Sequence, residues 1–419
     1  MSLSHRRSIE GGVSPVVMPR DVDVVLKSRA LEGRKVLLGI SGGIAAVETV
    51  RLARELRRHG AEIHVIMTRA ATEVISPLAV RWATQANVDV EWDGDMSQLD
   101  GYDGLLIAPA TRNTLAKHVN GVMDSPLAMA MAAAAGNGTP TMVVPSMHND
   151  LFDDAVTQDL LNSVIARGAK VLVSESEEGR RKQPDPVNIV AEFAHYLNRS
   201  PHHRNVLVLL GGTESSIDDV RVITNRSTGQ TGFAICDGLH RLGHQVTILA
   251  GRTSLDIDDS RFKIVHSPDV GSMKCWAKDL IENEEIGIDA VISAAAISDH
   301  VVDEPFSGKI SSDDVLDLRL SPFPKIIDGI VTWLGKNRGV DAGPVIGFKL
   351  LSNSNEKELV QAARSQIERS GVSAVIANDL SWIEGDRRRA LWVTMDEVTE
   401  LANLESIVVA IDRLLLAQD

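Results

Sequence analysis

Short unbroken apolar runs alternate along this chain with longer segments whose apolar positions recur at helical spacing, a rhythm that predicts parallel strands joined by helices. In the first half, residues 35–40 (KVLLGI), 62–67, 105–108 and 141–144 read as buried strands, and 47–58 as an amphipathic helix. In the second half, 206–210 (VLVLL), 291–296, 346–351 and 375–381 read as strands that break into polar loops, while 233–242 and 401–417 carry helical spacing. The expected fold class is α/β, with two doubly wound, Rossmann-like three-layer domains. The polar, Pro-containing stretch 198–204 (NRSPHHR) separates the two series and reads as a linker whose adjacent histidines are solvated. Domains are therefore expected over 31–197 and 205–419, after an extension, 1–30, that reads as a mobile arm or an added strand.

One crossing stands out. After the strand at 206–210 comes GGTESSIDDVRVITNRSTGQTG (211–232), a long polar loop that leads into a helix. Such a crossing gathers backbone N–H groups and hydroxyls at a helix N-terminus, where dipole and unpaired donors favour phosphate. Neither G-x-G-x-x-G nor G-K-[ST] is present, so the loop is not a dinucleotide fingerprint or a Walker A loop. Arg221 and Asn225 place a fixed charge and an amide close together, which suits an oxyanion or acyl-phosphate intermediate better than a dinucleotide. The competing reading is a capped turn in which Asn225 caps the helix and Arg221 pairs with Asp218 or Asp219.

Three strand ends of the first half also carry small polar loops: SGGIAA (41–46), PATRNT (109–114) and PSMHND (145–150). In open α/β sheets ligands lie at the carboxyl ends of the strands, so these loops should line one crevice.

From about residue 205 onward, the 211–232 loop, VISAAAISDH (291–300) followed by SGKISS with Lys309, IGFKLL (346–351) and VIANDLS (375–381) together resemble phosphopantothenate–cysteine ligases. That family activates the carboxylate of 4′-phosphopantothenate by nucleotidyl transfer from CTP, or ATP in some members, with Mg²⁺ on the triphosphate, and then joins it to cysteine. The resemblance implies that Asn225 holds the acyl-nucleotide, that Arg221 supports its loop, and that Lys309 stabilises charge on the phosphoryl groups; Lys309 could otherwise be a surface lysine. It further implies that Gly211, Gly212, Thr213, Ser227, Thr228 and Gly229 cradle phosphate and that Ala295, Ala296 and Asp299 line the base and ribose site. Phe348, Lys349, Asn378 and Asp379 would complete the crevice, with Phe348 equally a core residue. The identity of any metal ligands stays open.

Residues 34–190 resemble flavin-containing cysteine decarboxylases, a flavodoxin-like flavoprotein family that binds FMN and in many bacteria and archaea is fused ahead of the ligase. The resemblance implies a cofactor site formed by Ser41, Gly42, Gly43, Ile44, Thr68, Ser76, Thr111, Asn113, Ser146 and Met147. It also implies a homo-oligomer, the ligase half as dimers and the flavin half as trimers. Three departures bear on activity. The family's basic His has no counterpart in DGDMSQLDGYDG (93–104), where Met96 is nearest its place. Its P-x-M-N asparagine is replaced by His148, with Asn149 one residue later. Its flap cysteine is missing from SESEEGRRKQPDP (174–186). Serine has too high a pKa, and methionine no proton to give, to replace a thiol acid. The decarboxylase half is therefore expected to be inactive, unless His148, Glu175, Glu178 or a neighbouring subunit substitutes. A fully bifunctional enzyme, a redirected amide ligase and a non-catalytic flavoprotein partner remain the alternatives.

Composition only narrows this picture. A formal charge of −14 argues against nonspecific binding to nucleic acid, and no apolar stretch approaches the ~20 residues of a membrane span. With two cysteines, Cys236 and Cys275, no disulfide framework is expected, which fits a cytoplasmic enzyme of small-molecule substrates. The run Arg387 to Arg389 reads as a solvated loop.

Overall fold

A computed structural model describes residues 20–92, 94, 96–174, 180–181, 183–257, 259–311, 315–339, 342–384 and 387–417. Two sheets, built in succession along the chain, organise it. The first contains β1 (Lys35–Ile40), β2 (Glu62–Met67), β3 (Val88–Asp89), β4 (Gly104–Ala110), β5 (Thr141–Pro145) and β6 (Lys170–Val171), in the order β3-β2-β1-β4-β5-β6 and parallel throughout. The central strands are apolar on both faces because helices cover both. On one side α1 (Thr49–Arg58), α2 (Pro77–Thr84) and α6 (Pro186–Asn198) bury Leu52, Leu56, Val80 and Phe193 against Val36, Leu38 and Ile40. On the other, α3 (Arg112–Val119), α4 (Pro126–Asn137) and α5 (Ala155–Ala166) bury Leu115, Leu127, Met131 and Val164 against Leu37, Leu105 and Ile107.

The second sheet repeats the plan. Its strands β7 (Asn205–Leu210), β8 (Gln245–Ala250), β9 (Lys263–His266), β10 (Ala290–Ser293), β11 (Val345–Leu351), β12 (Ala374–Asp379), β13 (Ala390–Val393) and β14 (Val398–Leu401) run in the order β9-β8-β7-β10-β11-β12-β13-β14. The first six are parallel, and the last two add antiparallel strands at one edge. Helices α7 (Gln230–Arg241) and α11 (Leu404–Leu416) cover one face; α8 (Val270–Glu282), α9 (Ile326–Arg338) and α10 (Glu356–Ser370) cover the other. In each sheet the chain reverses direction of winding between its first strand and its fourth, so each has a crevice there, at β1/β4 and at β7/β10.

Four sequence expectations are corrected. The last helix begins at Leu404 rather than 401, because 398–401 pair with β13 and Asn403 supplies the N-cap, accepting from Ser406 N. Residues 20–31 form neither an arm nor a strand: the carbonyls of Asp21, Val22 and Asp23 accept from Arg54 and Arg57, Lys27 pairs with buried Glu55, and Leu31 is fully buried. Residues 1–19 lie outside the described residues. The supposed linker is docked: Asn198 donates to Ala30 O and Arg241 O, Arg204 reaches Leu415 O, and His203 bonds Ser200 and meets the His244 ring edge-on. The arginine run is likewise not a solvated loop. Arg387–Arg388 pairs with Ile383–Glu384, and Arg389 lies over the Trp382 ring while bonding Glu400 and Glu356.

Among the described residues no helix is long and apolar enough to cross a membrane.

Candidate functional site

The crevice at the carboxyl ends of β7 and β10 is closed by backbone bonds across three strand ends. Gly211, with φ +82, turns the chain sharply out of β7, and a Cβ there would meet Arg252 O at 2.7 Å. Gly212 N donates to Arg252 O and Arg252 N to Gly212 O, while Ala296 N donates to Gly211 O and Thr213 N to Ala296 O. The Thr213 hydroxyl accepts from Ser298 N at 2.8 Å, so the loops after β7 and β10 are locked together.

The polar segment after Thr213 is not one open loop. Glu214–Ser216 and Val222–Thr224 form an antiparallel ribbon, which holds Asn225 at its base. There the Asn225 amide donates to Ala296 O at 2.9 Å, so Asn225 spans the crevice instead of capping α7, whose N-cap is Gly229. Gly212, Thr213, Asn225 and Ala296 are thus brought together, while Asp299 pairs with Lys325 before α9.

Arg221 sits at the ribbon tip. Its guanidinium pairs with Asp218 at 2.9 Å and reaches Ile310 O, the pairing that the sequence left open. Burial opposes the Asp218 charge, but the amides of Val220, Ile310 and Arg221, with the guanidinium, hold its pKa below the usual value. Asp219 Oδ2 accepts from Gly308 N, so the two aspartates clasp the loop carrying Lys309. Lys309 itself is exposed. Arg221, Asp218 and Asp219 thus tie the ribbon to the loop that carries Lys309.

Opposite, Phe348 and Lys349 are half-buried at the end of β11, with Phe348 packed on the core, and Asn378 is half-buried on β12. Asp379 is buried and committed: Oδ1 accepts from the Ser381 hydroxyl and amide, Oδ2 from Ser354 N, and the Ser381 hydroxyl leads in lowering its pKa. Through these bonds it shapes the loop after β12. Two neighbours escaped the sequence reading. Lys325, just before α9, pairs with Asp299, and Arg252 pairs with Glu214 at 2.7 Å. Neither lies in a motif, since both partners come from distant strand ends.

The N-terminal half holds a second cradle. A cavity of about 630 Å³ is lined by Gly42, Thr68, Thr111, Asn113, Ser125 and Trp92, among others, within the ~300–1,000 Å³ typical of ligand sites. Thr111 and Ser125 cap α3 and α4, and the buried Ser41 hydroxyl accepts from Thr111 N, fixing that turn. Gly42 has no room for a side chain, because a Cβ would lie 2.4 Å from Ala70 Cβ. Gly43 adjoins Thr111 and Pro109. Ile44, Ser146 and Met147 instead line a separate cleft between the halves, and Ser76 caps α2. The ten residues assigned to FMN are therefore divided.

At the place of the decarboxylase base, Met96 adopts a left-handed conformation (φ 55) and its sulfur accepts from Gln98 at 3.2 Å. His148 is half exposed and bonds Asp150. Glu175 and Glu178 lie outside the described residues.

Comparison with known proteins agrees with this division. A family model described as Flavoprotein matches residues 25–198, and one described as DNA/pantothenate metabolism flavoprotein C-terminal domain matches 202–412. The coenzyme A biosynthesis bifunctional protein CoaBC of Thermococcus kodakarensis is 34% identical over 389 residues, covering 90% of this chain and 93% of that protein. The chain belongs to the bifunctional coenzyme A biosynthesis family. The Methanocaldococcus jannaschii member is 32% identical over 88% of this chain and 89% of its own length. A solved DNA/pantothenate metabolism flavoprotein from Streptococcus pneumoniae is 25% identical, covers 52% of this chain and 100% of its own, and superposes with a TM-score of 0.46. As a family member the chain is an enzyme, with a flavoprotein domain followed by the phosphopantothenate–cysteine ligase domain.

Proposed function

We propose that the C-terminal half ligates cysteine to 4′-phosphopantothenate through an acyl-nucleotide, and that the N-terminal half no longer decarboxylates the product. The ligase reading rests on one observation above all: Asn225 is laid across the β7/β10 crevice onto Ala296, at the base of a ribbon whose tip clasps the Lys309 loop.

A carboxylate is a poor electrophile, so it must first acquire a leaving group. Its oxygen attacks the α-phosphorus of CTP or ATP, the bond to the β-phosphate bridging oxygen breaks, and pyrophosphate departs. The cysteine amine then attacks the acyl carbon, the nucleoside monophosphate leaves, and the ammonium proton passes to solvent. Lys309 offsets negative charge that grows on the phosphoryl oxygens. Asn225 holds the acyl-nucleotide while the amine approaches. Gly211, Gly212, Ser227, Thr228 and Gly229 allow close backbone approach to phosphate, and Ala295, Ala296 and Asp299 line the base and ribose. A divalent Mg²⁺ would accompany the triphosphate and neutralise part of its charge.

The N-terminal cavity fits FMN. Gly42, Thr68, Thr111, Asn113 and Ser125 would hold it, two of them at helix N-termini suited to its phosphate. Bound there, the flavin would supply two-electron oxidation. The chain's own residues do not complete decarboxylation, since the Met96 thioether takes up no proton at neutral pH and neither cysteine lies in this half.

The test is direct. Protein incubated with 4′-phosphopantothenate, cysteine, Mg²⁺ and either CTP or ATP is followed for pyrophosphate, amide and carbon dioxide. Pyrophosphate and amide without carbon dioxide are expected. Pyrophosphate released only with a different acid would instead mean a redirected ligase, and consumption of neither triphosphate would end the proposal. A flavin absorbance spectrum decides FMN retention.

A further inference from the structure

Lys325 is the N-cap of α9, a 13-residue helix, yet its side chain caps none of the first-turn amides. An ammonium cannot accept their hydrogen bonds and stands at the positive end of the helix dipole, so helix stability gives no reason for lysine here. Its partner does. Residues 300–302 pair antiparallel with 320–322, which brings Asp299 and the 323–325 segment to one end of that ribbon. There Phe323 N donates to Asp299 O at 2.8 Å while Lys325 Nζ takes the carboxylate at Oδ1, so one short segment fixes both the main chain and the side chain of Asp299. A second cation shares the corner: Lys274 of α8 lies over the Phe323 ring, 5.7 Å from its centre.

Charge gives the pairing a purpose. Asp299 follows the loop that Ser298 N locks to Thr213, so its carboxylate stands at the edge of a crevice read as taking a nucleoside triphosphate. A bare carboxylate there would repel the polyanion, most strongly once water has been excluded. With both side chains about half exposed, the pair contributes little to stability in the open crevice. Its value lies in cancelling a negative charge when the nucleotide is seated.

We propose that Lys325 is a positioning residue that sets affinity for the triphosphate: it neutralises Asp299 and holds Oδ1, which leaves Oδ2 to accept from the nucleoside. The proposal rests on the ligase reading above, in which Asp299 lines the nucleotide site, and adds to it a residue outside every motif.

The test compares the full-length parent with Lys325→Met, Lys325→Arg, Asp299→Asn and the double variant D299N/K325M. At low salt, K325M should raise KM for the triphosphate that the parent uses about tenfold. KM for 4′-phosphopantothenate and the thermal midpoint should not move, and K325R should stay close to the parent. Raising the salt should shrink the difference, and in the D299N background K325M should change nothing further. An unchanged triphosphate KM in K325M would overturn the proposal. An equal rise in the D299N background would also overturn it, by putting the ammonium itself on the phosphates. A lowered midpoint with higher KM for both substrates would do the same, by reducing Lys325 to a structural role. If the parent consumes neither triphosphate the ligase reading falls, and calorimetric titration of the same proteins with CTP and ATP still decides the role of Lys325. Tighter binding to the parent than to K325M supports it; equal binding, or none, overturns it.

Discussion

The two halves share one strand order and place a crevice at the same point of it, yet they differ in what fills that crevice. In the C-terminal half Asn225 crosses from a ribbon to Ala296 and two aspartates clasp the Lys309 loop. In the N-terminal half the glycine turn and capped helix ends persist around a cavity, but Met96 stands nearest the place of a base. Scaffold and cradle depend on backbone conformation and packing, so they tolerate the loss of reactive groups. Reactivity depends on a few side chains at loop ends and can vanish without disturbing the fold.

The largest expected effect sharpens that contrast on the ligase side. Lys309→Ala or Asn225→Ala should lower amide formation by about 10²–10³-fold, the usual consequence of deleting a group that stabilises developing charge or an intermediate. Pyrophosphate release separates the two, since K309A should block the first step and N225A chiefly the second. Parent-like rates in both would break the comparison. On the other side, 4′-phosphopantothenoylcysteine should release no carbon dioxide above background, and release at an enzymatic rate would show the N-terminal half to be active after all.

Gly42→Val should abolish flavin absorbance in the purified protein, because the cradle leaves no space beside Ala70. Flavin retained at the parent stoichiometry would place the cofactor elsewhere. Asp218→Asn should leave the fold in place but loosen the Lys309 loop, cutting turnover about tenfold through weakened charge-assisted bonds. Turnover equal to the parent would deny Arg221 and Asp218 their positioning role.

The smallest effect concerns the seam between the halves. His195 stacks on His240, 4.1 Å between ring centres, and its Nδ1 meets His240 O, while Glu192 bonds both His240 and Lys170. Burial, then the neighbouring His240 and Lys170, pushes the His195 pKa down to about 4. The seam therefore holds neutral His195. Its contribution is complete above the ordinary histidine value near 6.5 and is lost as pH falls towards 4. The thermal midpoint should decline across that window, and His195→Asn should flatten the decline. An unaltered profile in the variant would assign the pH dependence to other groups.

Much of this was legible in the residues themselves. VLVLL at 206–210 can only be a strand buried on both faces, and it is one. Gly211 and Gly42 are required by turns that a side chain would block. The ribbon at 214–216 and 222–224 was not legible, because its strands are three residues long, largely polar, and stabilised by Ser215, which accepts from Val302 N, a residue 87 positions away. The docked 198–204 segment and the paired arginine run were misread for the same reason: polar residues look solvated until a distant partner is known.

The sequence by itself determined the two α/β units, the strand ends that bear chemistry and the absence of a thiol in the first half, because periodicity and residue type are local properties. Tertiary structure alone decided that Asp379 is occupied by Ser354 and Ser381, that Lys325 meets Asp299, and that Arg388 lies against α7. Those pairings join residues brought together only when helices and strands pack, so no local pattern encodes them.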